Sequence, residues 1–302
     1  MKRGAIIGLA AGAAALVVAA GAAWWFLGRP AGPDAAAQAY LDALAAGDAA
    51  GAIELLAASP GDDAETAFAG AETYLAEPAV IATTEDDRGG ATVDVRFTLD
   101  GDEVMSSFDL TLDADGWRVD ADGVGTLRAD ATLGDSVIVG GVLQPSSESA
   151  PLLPAVYPVT AAPRGIVDGS TSAIIVPGAA IDLAIEASLS ADATALAQTR
   201  LDGYADGCAA PASAVPDNCG LRVPWAADLA TLDAIAFRIE AHPIITLSPD
   251  ATAFDAVGGE IVATATGTTR AGSTASFTYR ADDWALRGSV LLTGDEMVLS
   301  VR

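Results

Sequence analysis

The sequence predicts an α+β protein carried behind one N-terminal transmembrane helix, and three observations carry that prediction. The first thirty residues hold an uncharged apolar run, the hydrophobic period changes from about 3.6 to 2 near residue 90, and the same change recurs after Cys208. The expected plan is a transmembrane signal-anchor over 1–30, a domain of three helices and an antiparallel sheet over 31–124, a β-rich module over 125–188, and an α+β domain with one disulfide over 189–302.

The anchor reading comes from MKRGAIIGLAAGAAALVVAAGAAWWFLGRP. Residues 5–28 reach about 36 Å as a helix, enough for a hydrocarbon layer of about 30 Å. Ile6, Leu9, Leu16, Val17, Val18 and Leu27 supply apolar length, and Trp24, Trp25 and Phe26 stand where aromatic side chains prefer the headgroup layer. Lys2 and Arg3 precede the run, and after Arg29 no basic residue follows until Arg88. The positive-inside bias therefore places the N-terminus in the cytoplasm and the remainder outside, single-pass in the cell membrane, with the lipid bilayer as first partner. A cleaved signal peptide has a shorter apolar region, about 7–15 residues, ending in a more polar small-residue site. No cysteine lies near the run to carry a lipid.

Bulk charge narrows the remaining chemistry. Asp and Glu number 41 against 15 Lys and Arg, for a net of −26, which excludes the clustered basic surface that nucleic-acid binding needs. Lys2 is the only lysine, so no exported lysine serves catalysis.

Along the exported part, AAAQAYLDALAAGD places Ala37, Tyr40, Leu41 and Leu44 on one helical face closed by Gly47. A second short helix buries Ile53 and Leu56. A third opens at Asp62 or Asp63, aligns Ala64, Phe68, Ala71 and Leu75, and is expected to end before Pro78. Then Val93, Val95, Phe97 and Leu99 alternate with polar residues, as do Phe108, Leu110 and Leu112, with DGDE and ADG as turns and Trp117-Arg118-Val119 closing the meander. The order, opened by AQAYLDALAAGDAAGAIELL and closed by DLTLDADGWRV, resembles the NTF2-like cone fold, in particular the exported, membrane-tethered domains of Gram-positive, actinobacterial-type envelope proteins. The resemblance implies a cone-shaped α+β domain. Enzymes of that superfamily place Asp, Tyr and His in the cone, whereas this segment has no histidine and its Tyr40 and Tyr74 read as core.

From Gly125 the chain turns β-rich. DSVIVGGVL with LLPAVYPVTA is similar to small Ig-like or PEGA-like modules, as in envelope proteins of the TcaA type, although Gly140-Gly141 and Pro154-Ala155-Val156-Tyr157 replace the usual Asn-Gly and PGxYxV. In the last section Ser190 reads as an N-cap, and Ala193, Ala197, Leu201, Tyr204 and Cys208 recur at helical spacing before the strands AIAFRIEA, EIVATATGT, ASFTYRA, ALRGSVLL and MVLSV.

Cys208 and Cys219, the only cysteines, enclose ten residues with two prolines; outside the reducing cytosol they read as a structural disulfide. Zinc needs further ligands, and His242 is the only histidine. LDADGWRVDADGVG offers Asp113, Asp115, Asp120 and Asp122 as calcium-type oxygen ligands, but without the Glu that closes an EF-hand, so the Asp-Gly pairs read as turns and no metal or cofactor is expected. No nucleophile-base constellation, phosphate loop or dinucleotide motif stands out. The expected function is a membrane-anchored, extracytoplasmic, non-enzymatic module that binds an envelope protein or a small ligand. The alternative is an exported carboxylate-dependent enzyme, a glycan hydrolase or a cone-fold isomerase.

Overall fold

A computed structural model describes residues 32–302; the expected anchor residues, Ile6 through Leu27, lie outside the described residues. Among the described residues, no helix is long and apolar enough to cross a membrane.

The chain opens with α1 (Pro33–Ala46), α2 (Ala49–Glu54) and α3 (Asp62–Ala69). Pro33 sets the first turn of α1, and Gly47 at φ 70° ends it, its N–H turning back to the Ala43 and Leu44 carbonyls. Strands β1 (Ala76–Glu85), β2 (Gly90–Leu99), β3 (Asp102–Leu112) and β4 (Trp117–Val119) follow as an antiparallel meander in sequence order. The inner face of the meander carries Val93, Val95, Phe97, Phe108 and Leu110, which share a fully buried core with Ala37, Tyr40, Leu41 and Leu44 of α1. Tyr40 meets Phe108 edge-on at 5.7 Å and donates its hydroxyl proton to the Gly123 carbonyl at 2.8 Å. Burial holds the Tyr40 phenol far above the ordinary tyrosine range, so it is a neutral donor.

The middle of the chain is two packed sheets. One runs in the order β11-β9-β6-β7 and the other β12-β5-β8, from β5 (Gly125–Ala131), β6 (Ser136–Val139), β7 (Val142–Pro145), β8 (Ser149–Leu152), β9 (Ala155–Ala161), β11 (Ser170–Ile175) and β12 (Ala180–Ile185). The short strands β10 (Val167–Asp168) and β13 (Ser188–Leu189) pair with each other. Leu127, Val137, Val139, Leu152, Tyr157, Val159, Ile175 and Ile185 are buried in the core these sheets share, following the period-2 pattern of their strands. The last section has α4 (Ala193–Cys208), β14 (Thr231–Ala241), β15 (Ile244–Leu247), β16 (Ala253–Thr268), β17 (Thr274–Thr293) and β18 (Glu296–Val301). The sheet order is β14-β16-β17-β18, with β15 on the other half of β16.

The expected α+β class, with an NTF2-like domain of three helices and a sheet at its head, is overturned: strand takes 50% of the described residues and helix 18%. The physical reason lies in helix and strand lengths. Helices α2 and α3 have only 6 and 8 residues, and α3 stops at Ala69 instead of running toward Pro78. The next segment is drawn into sheet pairing, with the Glu72 N–H donating to the Val156 carbonyl and the Val156 N–H to the Thr73 carbonyl. Pro78 then sits inside β1, an edge strand, where its missing N–H costs no ladder bond. At the other end, ASFTYRA and ALRGSVLL are one continuous 20-residue strand. Ser190 does not cap α4, which starts from Asp192; the Ser190 hydroxyl bonds to the Gly165 carbonyl instead. Tyr204 is 38% exposed, and Ala205 takes the buried place.

Two carboxylates join the middle sheets to the last section: Asp295, which accepts the Arg164 N–H at 2.8 Å, and Asp135. Asp135 accepts from the Thr293 hydroxyl at 2.7 Å and from the Gly294 N–H and the Ser136 hydroxyl at 2.8 Å, and these bonds, the Thr293 one foremost, hold its pKa below the ordinary carboxylate value. A depressed folded-state pKa contributes stability above the unfolded-state value and loses it as pH falls through the folded value. Asp135→Ala is therefore expected to lower the melting temperature at neutral pH and to make little difference below the carboxylate range. Thermal melts at the two pH values check this; a deficit that stays constant with pH contradicts it.

Candidate functional site

Strands β16 and β17 run well past the end of β15, and their far halves join β14 in a three-stranded arm. Its register stacks Ile235, Ala265 and Phe277 in one row, Phe237, Ala263 and Tyr279 in the next, and Ile239, Ile261 and Ala281 in a third. Helix α4 ends at Cys208, so the cover of this face is the loop 209–230. Small residues on β16 keep the floor low between aromatic neighbours.

The loop is pinned at both ends. Cys208 and Cys219 form a buried disulfide with Cα atoms 5.7 Å apart, as the sequence predicts. The Cys219 carbonyl accepts the buried Trp284 indole N–H at 2.8 Å, and the Asn218 carbonyl accepts the Tyr204 hydroxyl at 3.0 Å. Gly220 follows at φ +63°, where a Cβ would lie 2.2 Å from the Ala285 carbonyl oxygen, so only glycine passes here. At the far end, the Arg270 guanidinium donates to the Ala226 and Ala227 carbonyls at 2.8 Å, and Leu229 is buried against Ile235 and Ala265. Between these anchors Leu221–Pro224 crosses the arm and leaves a groove of about 430 Å³. Phe237, Tyr279 and Trp284 line it with Ile261, Ala263 and Ala281.

Two guanidiniums line the groove, Arg222 and Arg280. Arg280 is held by Glu240, Glu260 and Asp282, with Asp282 and Glu240 raising its pKa further, so that guanidinium is already paired. Asp283 is the one carboxylate in the lining. The Tyr279 hydroxyl donates to Asp228 at 2.7 Å. The site can therefore hold an apolar body of small-molecule size, in the volume range typical of ligand pockets.

The chain matches no family model, no curated protein and no solved structure.

The predicted aspartates are dispersed rather than convergent. Asp113 caps the turn through the Asp115 N–H at 2.7 Å and pairs with Arg118 at 3.6 Å. Asp120 accepts from the Thr111 hydroxyl at 2.8 Å, and both Asp122 oxygens accept the Asp109 N–H, at 3.0 and 3.1 Å. Partial burial, and then the neighbouring Asp109 and Asp120 charges, raise the Asp122 pKa. Among the described residues no group of three or more His, Cys, Asp or Glu is placed to hold a metal ion. His242 Nε2 lies 2.9 Å from an Asp206 carboxylate oxygen, bridging α4 to the start of β15.

Sequence reading located the strands of the arm but not the groove. The available signal was the run of small residues, Ala263, Ala265 and Ala281, interleaved on one face with Phe237, Phe277 and Tyr279.

Proposed function

We propose that the protein is a single-pass, membrane-anchored extracytoplasmic binding module, and that the groove of its C-terminal arm takes a small, uncharged, aromatic or otherwise apolar ligand. The observation that carries this reading is the groove itself, about 430 Å³ under a pinned loop with aromatic and alanine walls, where Arg280 is tied up by carboxylates and Arg222 and Asp283 supply one charge of each sign. Anchor, orientation and export rest on residues 1–30, and a disulfide is in keeping with an oxidising compartment. Residues 1–30 meet the lipid, and an envelope protein or a small ligand is the partner of the remainder. The carboxylate-dependent enzyme has less support, because two carboxylates must face each other across a concave site and the groove offers Asp283 alone.

The test uses the full chain in detergent and 1-naphthol, an uncharged bicyclic aromatic, followed by tryptophan fluorescence. Binding is expected to saturate at one equivalent, and Ala281→Phe, which fills the groove from its floor, is expected to abolish the saturable part. Absence of saturation in the natural chain, or saturation unchanged by Ala281→Phe, overturns the reading.

A further inference from the structure

The two helices that lead the first and last sheets carry the same hydrogen-bond device, atom for atom. In α1 the Gln38 Nε2 group donates to Asp42 at 2.8 Å and to the Pro78 carbonyl at 3.2 Å, while its Oε1 accepts the Val80 N–H at 3.2 Å. In α4 the Gln198 Nε2 group donates to Asp202 at 2.7 Å and to the Pro243 carbonyl at 3.0 Å, while its Oε1 accepts the Ile245 N–H at 2.8 Å. Each glutamine amide thus stands in for a neighbouring strand, satisfying one donor and one acceptor on the open edge of β1 or of β15. Each aspartate four residues on holds the amide in place.

The likeness extends to sequence and topology. Both helices contain Ala-Gln-x-x-Leu-Asp, at Ala37–Asp42 and Ala197–Asp202, and both alanines and both leucines are buried. Each clamp holds an edge strand with an X-Pro pair at its beginning, Glu77-Pro78 at the start of β1 and His242-Pro243 just before β15, and three strands follow in antiparallel sequence order, β2-β3-β4 or β16-β17-β18. The second unit has what the first lacks: the added strand β14, the prolonged halves of β16 and β17, and the disulfide loop.

We infer that 33–119 and 193–301 are two copies of one helix-and-meander unit clamped by a glutamine, and that Gln198, in the copy elaborated with the arm, is a positioning residue for the groove. The connection is short. Gln198 holds the Pro243 carbonyl, and the Pro243 ring stands beside Gly259. A Cβ on Gly259 would lie 3.0 Å from Pro243 Cδ and 3.0 Å from the Trp284 ring, so the three are in register with no slack. Trp284 lines the groove and holds the Cys219 carbonyl. Gln38 has no such connection, because its unit carries no arm. The positioning role rests on the groove being the ligand site; the duplicated clamp does not.

The experiment compares Gln38→Ala and Gln198→Ala in the full chain, by melting, amide exchange and 1-naphthol titration. Both are expected to lower the melting temperature by a similar ~2–6 °C, each exposing one amide to exchange, Val80 in the first and Ile245 in the second. Only Gln198→Ala is expected to weaken 1-naphthol, by about tenfold. If Gln198→Ala does not fold, Gln198→Met, which keeps chain length without the amide, takes its place. Unequal melting shifts, or no loss of amide protection, overturn the duplicated clamp. Equal affinity losses in both variants, or none in either, overturn the positioning role. No saturable naphthol binding in the natural chain overturns the groove while leaving the clamp to stand on the melting and exchange results.

Discussion

Gly140→Ala is expected to lower the stability by about 3 kcal/mol or more, and Gly141→Ala, one residue on, by only about 1 kcal/mol. The two glycines make the tight turn between β6 and β7, at φ +54° and +90°, so alanine at either pays for a left-handed backbone. They differ in surroundings. A Cβ on Gly141 meets nothing within 4 Å, whereas one on Gly140 would stand 2.3 Å from the Ala67 carbonyl oxygen at the end of α3. Gly70 faces the same joint from the other side, its absent Cβ only 2.1 Å from the Gly140 oxygen, and its φ of −95° is ordinary. Gly70→Ala therefore isolates the steric part and should fall near Gly140→Ala. Denaturant titration of the three variants separates the contributions, and equal losses at Gly140 and Gly141 would show that the close backbone approach carries no weight.

The double variant Cys208→Ser, Cys219→Ser is expected to lose about 3 kcal/mol, the chain-entropy value for a short closed loop. The cysteines are 11 residues apart, and the helix end they tie down is where cover of the arm begins. Loss of the bond leaves the Cys219-to-Trp284 and Asn218-to-Tyr204 hydrogen bonds to hold the near end of the loop alone. The amides of 219–224 should then exchange faster than those of the core strands at the same overall stability. Melting of the oxidised and reduced chain gives the same comparison without mutation, and an unchanged transition contradicts the role of the bond.

Local, strongly signalled features were legible in the sequence. Alternation over Val93–Leu99 and Phe108–Leu112 marks β2 and β3, and a pair of cysteines separated by a Pro-containing loop marks the disulfide. Features set by partners distant in sequence were not. Strand β1 carries Pro78 and no clean alternation, because Gln38 and the edge position, rather than a buried face, define it. Helix α3 loses its last turn to a pairing between Thr73 and Val156 that no local pattern announces. The continuity of β17 across Arg280–Trp284 was hidden by its charged stretch, in which Arg280 pairs with Glu260 of β16 and Glu240 of β14. The groove depends on where α4 stops relative to the length of β16, which is a difference between two distant segments. The repeated Ala-Gln-x-x-Leu-Asp was readable in the sequence, and its meaning came only with the two edge strands it clamps.

Whether the arm of the last section is the ligand site is read from the hydrogen-exchange footprint of the full chain saturated with 1-naphthol. Protection is expected in 219–224 and in the β16 and β17 segments around Ala263 and Ala281, with the first sheet and the middle sheets unchanged. Protection confined to the first sheet or to the middle sheets, with 219–224 exchanging as before, would contradict it.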